Sequence, residues 1–211
     1  MRRTLIVFAR AARLGRGKRR LARDIGMVWA WRFQRVQTAA LLRRLAADRR
    51  WRTVLAVTPD RAAAEPRPWP ASCALLPQGT GDLGSRMARA LAAPPPGPVV
   101  LVGADVPGIA PRHVADAFRA LGDHDVVFGP ALDGGYWLIG LRRRPRPAPR
   151  GFGRVRWSTA HALADSIAAI GPGRRVALVD ELEDVDDGAA WRRWRAATRR
   201  GPSSRAPAGG A

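Results

Sequence analysis

The chain has 211 residues, an apolar fraction of 46% and a net charge of +20 from 37 basic and 17 acidic residues. That length suits one domain with a substantial core, and no apolar run approaches the roughly 20 residues that span a bilayer. The single cysteine, Cys73, excludes an internal disulfide and a cysteine-based metal cluster.

Residues 4–8 read as a first strand. Their apolar run is too short for a signal peptide and Arg10 and Arg13 follow at once, so a cytoplasmic location is expected. The next stretch, with Gly15, Arg16, Gly17, Lys18 and Arg20, reads as a loop rich in glycines and cations. Glycines let the backbone approach an anion closely, and exposed amides then meet phosphate oxygens. Residues 27–48 have helical periodicity through Val28, Trp31, Val36, Leu41, Leu42 and Leu45. A strand at 53–57, a proline-rich loop and a short strand at 73–76 follow. A second glycine-rich turn starts at Gln78 and opens a helix through Met87, Ala90 and Leu91.

Val99, Val100, Leu101 and Val102 form an unbroken aliphatic run, the pattern of a strand covered on both faces. Asp105 comes directly after it. A carboxylate beyond the carboxyl end of such a strand suits holding a hard cation against a phosphate, although an Asp near a Pro also suits a plain turn. Residues 111–121 predict a helix with Pro111 in its first turn, and two strands, 125–129 and 136–140, flank a turn at 130–135. Residues 142–150 alternate Arg and Pro and predict a surface loop. Ser158 is placed to cap a helix reaching about Ile170. A strand at 176–179, an acidic turn at 180–187, a helix at 189–198 and a disordered tail at 201–211 complete the chain. Alternating strands and helices imply a doubly wound α/β fold, one domain over 1–200, with a mostly parallel sheet and helices on both faces.

The excess charge invites a nucleic-acid reading, but the basic residues are scattered, with no continuous basic helix face and no interleaved aromatic-basic motif. All but one are Arg, beside abundant Ala, Gly and Pro. This is a compositional bias; it implies non-specific polyanion binding at low salt rather than a specific nucleic-acid partner. Against that background the only Lys, Lys18, stands out: either a compact charge kept for phosphate or an accident of composition.

Three polar clusters fall at one edge of such a sheet: the loop of Lys18, Asp105, and the acidic turn Asp184-Val185-Asp186-Asp187. Mg²⁺ or Mn²⁺ between carboxylates and phosphates accounts for cations facing acids, while Asp186 or Asp187 also fits as a cap for the last helix. The chain contains no Asn, so metal-binding side chains would be mainly carboxylates. Asp133-Gly134-Gly135-Tyr136 suits a tight turn, from which Asp133 is also placed to take a proton from an acceptor hydroxyl. Tyr136 fits equally as a half-buried strand aromatic.

In order, Gly15-Arg16-Gly17-Lys18-x-Arg20-Leu21, Gln78-Gly79-x-Gly81-Asp82-Leu83-Gly84-x-Arg86-Met87, Gly103-x-Asp105-x-Pro107-Gly108, the segment from Gly129 to Gly140, Trp157-Ser158-Thr159 and Asp184-Val185-Asp186 resemble a known family. It is the bacterial family of GT-A-fold nucleotide-diphospho-sugar transferases, often labelled arsenosugar-biosynthesis-type glycosyltransferases. The resemblance runs from Thr4 to about Trp194. It implies a nucleotide or nucleotide-sugar donor bound by Gly15, Arg16, Gly17, Lys18, Arg20, Gln78, Gly79, Gly81, Asp82 and Arg86. It also implies Mg²⁺ or Mn²⁺ at Asp105 and Asp186, and a small-molecule acceptor at Asp133, Gly134, Gly135, Tyr136 and Trp157. Asp105, Lys18 and Asp133 would carry the chemistry. The chain departs from the family at Arg19 (usually Thr), at Val106 (usually Cys) and at Arg13-Leu14, where a Pro is usual. Its Asp-x-Pro turn, in place of the Asp-x-Asp of GT-A glycosyltransferases, is also similar to the nucleotidyltransferases that activate phospholactate or molybdopterin. Glycosyl transfer is the first expectation, nucleotidyl transfer with release of pyrophosphate the alternative, and polyanion binding without catalysis the third.

Overall fold

The computed structural model describes residues 2–64, 69, 73–143 and 152–199. Seven strands form one sheet: β1 (Thr4–Arg10), β2 (Arg52–Thr58), β3 (Ala74–Pro77), β4 (Val99–Gly103), β5 (Val126–Pro130), β6 (Tyr136–Leu141) and β7 (Val176–Leu178). Their spatial order is β3-β2-β1-β4-β6-β5-β7. Every neighbouring pair is parallel except those of β6, which runs antiparallel to both β4 and β5. This is the doubly wound, mostly parallel arrangement that the alternation of elements implies.

The unbroken aliphatic run of β4 is explained by its place at the centre, where successive side chains enter opposite layers. On one face Val100 and Val102 join Leu5, Val7 and Leu55 under α2 (Met27–Ala46) and α4 (Pro111–Ala120). On the other, Val99 and Leu101 join Ile6, Phe128 and Ile139 under α3 (Leu83–Ala92) and α5 (Ala162–Ile170). A third, smaller cluster of Leu21, Ala30, Phe33 and Val185 lies outside the sheet and packs against Trp191 and Trp194. It joins α1 (Arg19–Ile25) and α2 to α6 (Gly188–Arg199). No helix among the described residues is long and apolar enough to cross a membrane.

Four local expectations change. Residues 19–21, read as the end of the loop, instead open α1, which runs on to Ile25 and buries Leu21. Val28 and Val36, which the periodicity of α2 includes, are exposed; the helix buries Ala30, Phe33, Gln34, Gln37 and Thr38 along with the expected Leu41, Leu42 and Leu45. Ser158 does not cap α5: it sits in a turn at φ 61, and the helix starts at Ala162 after His161. Arg143 is no solvated loop residue. Its guanidinium donates to the carbonyls of Leu91 (3.2 Å), Pro94 (2.9 Å), Pro95 and Gly97 (2.8 Å), fastening the exit of α3 to the end of β6. The rest of the Arg-Pro loop (144–150) and the tail (201–211) lie outside the described residues.

Candidate active site

β1 and β4 leave the sheet side by side, because their register pairs Phe8 with Gly103. Beyond β1 the chain makes a turn anchored on α2: Trp31 Nε1 donates to Ala12 O (3.4 Å) and Gln34 Nε2 to Arg10 O (3.1 Å). Gly15 (φ 77) and Gly17 (φ 89) take left-handed conformations, which glycine adopts without the steric cost that a Cβ brings. Lys18 follows at φ 42, directly before α1, and its side chain turns inward.

The Lys18 ammonium donates to Val185 O at 2.8 Å and Asp186 Oδ1 at 3.0 Å, and lies 3.2 Å from Asp105 Oδ1. The Lys18 side chain is only 5% exposed, against 51% for Asp105 and 39% for Asp186. Burial on its own would depress the ammonium's pKa, but Asp105 and Asp186 outweigh it and the net shift is upward. Lys18 is therefore charged at neutral pH. Arg20 Nη2 reaches the other oxygen of Asp186 at 3.3 Å.

Backbone bonds bring the acidic turn to this place. Leu182 N donates to Pro130 O (3.1 Å) and Val185 N to Asp105 O (3.1 Å). Val185 buries its side chain beside Leu21 and Phe33, while Asp184 and Asp186 on either side of it face the site, Asp184 in the cavity lining and Asp186 at the Lys18 ammonium. Capping of α6 falls to Asp187, whose Oδ1 accepts from Ala190 N at 2.8 Å, while Asp186 faces the ammonium.

Beside Asp105 opens a cavity of about 280 Å³. Phe8, Leu83, Met87, Tyr136 and Trp157 give it apolar walls, and Asp105, Asp133 and Asp184 give it acids. Asp184 is pushed up to about 6, first by burial and then by the charges of Asp186 and Asp133. Asp133 Oδ1 accepts from Gly135 N at 2.9 Å, closing the turn before β6. Gly134 at φ 83 lies so close to the backbone of Ala160 that a Cβ would collide with it. Tyr136 OH accepts from Ser166 Oγ at 3.3 Å, and burial holds the phenol well above its usual range. Trp157 packs over Gly84, where a Cβ would come within 2.6 Å of the indole.

The second glycine-rich turn forms a separate hydrogen-bonded group. Gln78 is buried, donating Nε2 to Ala9 O and Ala56 O (both 2.9 Å) and accepting from Arg86 Nη1 at 3.1 Å. It stitches β1 to β2. Gly79 N donates to Asp60 Oδ1 at 2.9 Å, and Asp82 caps α3 by accepting from Ser85 N at 2.7 Å. Gly79 (φ 75) and Gly81 (φ 104) supply the left-handed bends. Gly15, Arg16 and Gly17 line a further cavity of about 220 Å³ between their loop and α2.

The structure thus joins Lys18, Arg20, Asp105 and Asp186 in one network, and Asp133, Gly135, Tyr136 and Trp157 with Asp105 around one cavity. It adds Asp184 and the Val185 carbonyl, which the sequence reading placed in the acidic turn without giving either an individual role. Among the described residues no group of three or more His, Cys, Asp or Glu side chains gathers as a metal site. The donor set still fits Mg²⁺ or Mn²⁺: two carboxylate oxygens and one carbonyl converge within 3.2 Å of a single cationic nitrogen. Mg²⁺ is commonly held by one or two carboxylates, with waters and substrate phosphates completing its shell.

A mostly parallel sheet between helix layers, with a glycine loop and carboxylates at its carboxyl edge, defines a protein of the GT-A-like nucleotidyltransferase and nucleotide-diphospho-sugar transferase superfamily. Residues 41–159 match the model of the family described as "Uncharacterized protein conserved in bacteria (DUF2064)", and the chain belongs to that family. No curated protein matches it. A protein of Desulfovibrio desulfuricans G20, provisionally named a nucleotide-diphospho-sugar transferase, is 25% identical with a TM-score of 0.79 over 98% of this chain and 92% of that one. The manganese complex of Rv0371c from Mycobacterium tuberculosis H37Rv is 15% identical (TM-score 0.51; 92% and 97% covered). 4-Diphosphocytidyl-2C-methyl-D-erythritol synthase of Anaerococcus prevotii DSM 20548 is 9% identical (TM-score 0.61; 94% and 96% covered). The last two share its fold.

Proposed function

We propose that the chain, acting as one domain over residues 1–200, is a nucleotidyltransferase that passes a nucleoside monophosphate from a nucleoside triphosphate to a small acceptor and releases pyrophosphate. The observation that carries this reading is the meeting of the glycine loop's only Lys with two carboxylates from distant segments. A single Asp after β4, rather than an Asp-x-Asp pair, also favours it over glycosyl transfer. The synthase of Anaerococcus prevotii, whose name describes a cytidylyl product, adds support at the level of fold.

Mg²⁺ or Mn²⁺, when bound by Asp105 and Asp186, would polarise phosphoryl oxygens as a Lewis acid. Gly15 and Gly17 let the backbone approach the phosphates, and Arg16, Lys18 and Arg20 neutralise the charge growing on the leaving pyrophosphate. Asp133, at the cavity mouth, accepts the proton of an acceptor hydroxyl. Tyr136 and Trp157 wall the space for the acceptor's body. Glycosyl transfer is the second reading, favoured by the name of the Desulfovibrio relative.

Thermal shift with Mg²⁺ separates these readings. A nucleoside triphosphate at a hundredfold excess over its Kd should raise the Tm by about 5–10 °C for a chain of this size, and turnover should release pyrophosphate. Stabilisation by nucleotide sugars alone, with nucleoside diphosphate as product, would establish glycosyl transfer instead. Stabilisation by any polyanion, lost with salt and indifferent to metal, would leave only charge.

A further inference from the structure

We infer that Lys18 is an internal counter-cation that occupies the divalent-metal position between Asp105 and Asp186, and that the metal enters only when phosphates draw the ammonium away. This rests on the proposed use of a metal but not on which nucleotide is the donor. The three oxygens that would ligate the ion, on Asp105, Asp186 and Val185, are the ones that now surround Lys18 Nζ at 2.8–3.2 Å. An ammonium and a divalent ion cannot both occupy the one point where those three oxygens converge. Nor can Lys18 leave freely: it is buried, and a buried cation stripped of its partners is costly unless another anion receives it. A phosphate is such an anion. The means of movement are present too, since a Lys side chain has a flexible four-carbon stem and this one starts from a turn bent by Gly15 and Gly17. Arg20 is different: its side chain is 69% exposed and pairs with Oδ2 of Asp186, the oxygen that Lys18 does not hold, so it screens the acid without filling the position.

Metal and phosphate should therefore bind synergistically, each raising the other's affinity by the same factor, and Lys18 is the residue that couples them. Calorimetric titration with Mn²⁺ alone, without nucleotide, tests this directly. Lys18→Met and Lys18→Gln should bind Mn²⁺ about tenfold or more tightly than the unaltered protein, the scale of a lost charge-assisted hydrogen bond. Arg20→Ala should change affinity less than about threefold, as expected for an exposed pair. Equal or weaker Mn²⁺ binding by the folded Lys18 variants would overturn the inference. Should both variants fail to fold, the unaltered protein decides. Lys18 is the only Lys in the chain, so ¹³C,¹⁵N-lysine labelling gives a single side-chain ammonium signal by NMR. That signal should stay in place with Mg²⁺ alone and move with Mg²⁺ plus inorganic pyrophosphate; no movement with both overturns the exchange. Because pyrophosphate carries no base or sugar, an error about the donor would leave this result untouched.

Discussion

Asp184 holds an unfavourable charge at neutral pH, since burial and the nearby Asp186 and Asp133 push its pKa up to about 6 from 3.8. The folded state therefore binds this proton more tightly than the unfolded chain. Its favourable share of stability is complete below the unfolded value, near pH 4, and is lost as the pH rises through about 6. Asp184→Asn, neutral throughout, should match the unaltered protein near pH 4 and melt higher above pH 6. After allowance for solvent screening of a partly exposed group, about 1 kcal/mol, or about 2–4 °C, is expected. Melting curves across that range check it, and a gap independent of pH would refute the electrostatic origin. For activity, Lys18→Ala should lose one to two decades of turnover, roughly the 1.5–3 kcal/mol of a charged hydrogen bond to phosphate. Lys18→Arg should restore only part of that, because a planar fork fills the space differently.

At the level of elements, Arg143 and α6 hold pieces that the sheet alone would not. Arg143→Ala would strip the carbonyls of Leu91, Pro94, Pro95 and Gly97 of their donor, and a loss of about 2–3 kcal/mol is expected in denaturant melts. Trp194 packs edge-on against Phe33 with centroids 5.0 Å apart. Trp194→Ala should cost about 2 kcal/mol, less than for a fully buried Trp, and should weaken Mn²⁺ binding by loosening the turn before α6. All seven strands and five of the six helices were legible as runs and periods. The short α1 was not, because its helicity depends on Leu21 meeting Phe33 and Val185, contacts no local pattern contains. Ser158 looked like a cap because caps are read from residue type, whereas it takes a left-handed conformation in a turn that ends before the helix starts at Ala162. Within the site, Lys18 was marked by composition and Asp105 by its place after β4. The division of labour among Asp184, Asp186 and Asp187 was unreadable, since it follows from the burial of Val185 between them.

For the molecule as a whole, a charge of +20 should hasten the arrival of any anionic donor. The association rate of a nucleotide is expected to fall about tenfold between 20 and 200 mM salt, measured by stopped flow, as screening shortens the reach of the field. Heparin binding should fall with salt as well but be indifferent to Asp105→Asn. The sequence offered no interleaving of aromatic and basic residues, yet folding stacks Arg32 on Trp29, Arg35 on Trp31 and Arg195 on Trp191. These pairs are made by helical spacing, so they order part of the positive surface without marking a base-stacking strip.

The contact between Lys18 and Asp186 also has a meaning in time, for 168 positions separate the two. A ribosome adding about 5–20 residues per second needs about ten to thirty seconds to travel from one to the other. During that interval β1 and β4 can pair and the glycine loop can form, but the ammonium lacks Asp186 and the Val185 carbonyl. The strands β1 to β6 are thus synthesised before the partners of the cation clamp, and the clamp can close only once the segment around Val185 and Asp186 has emerged.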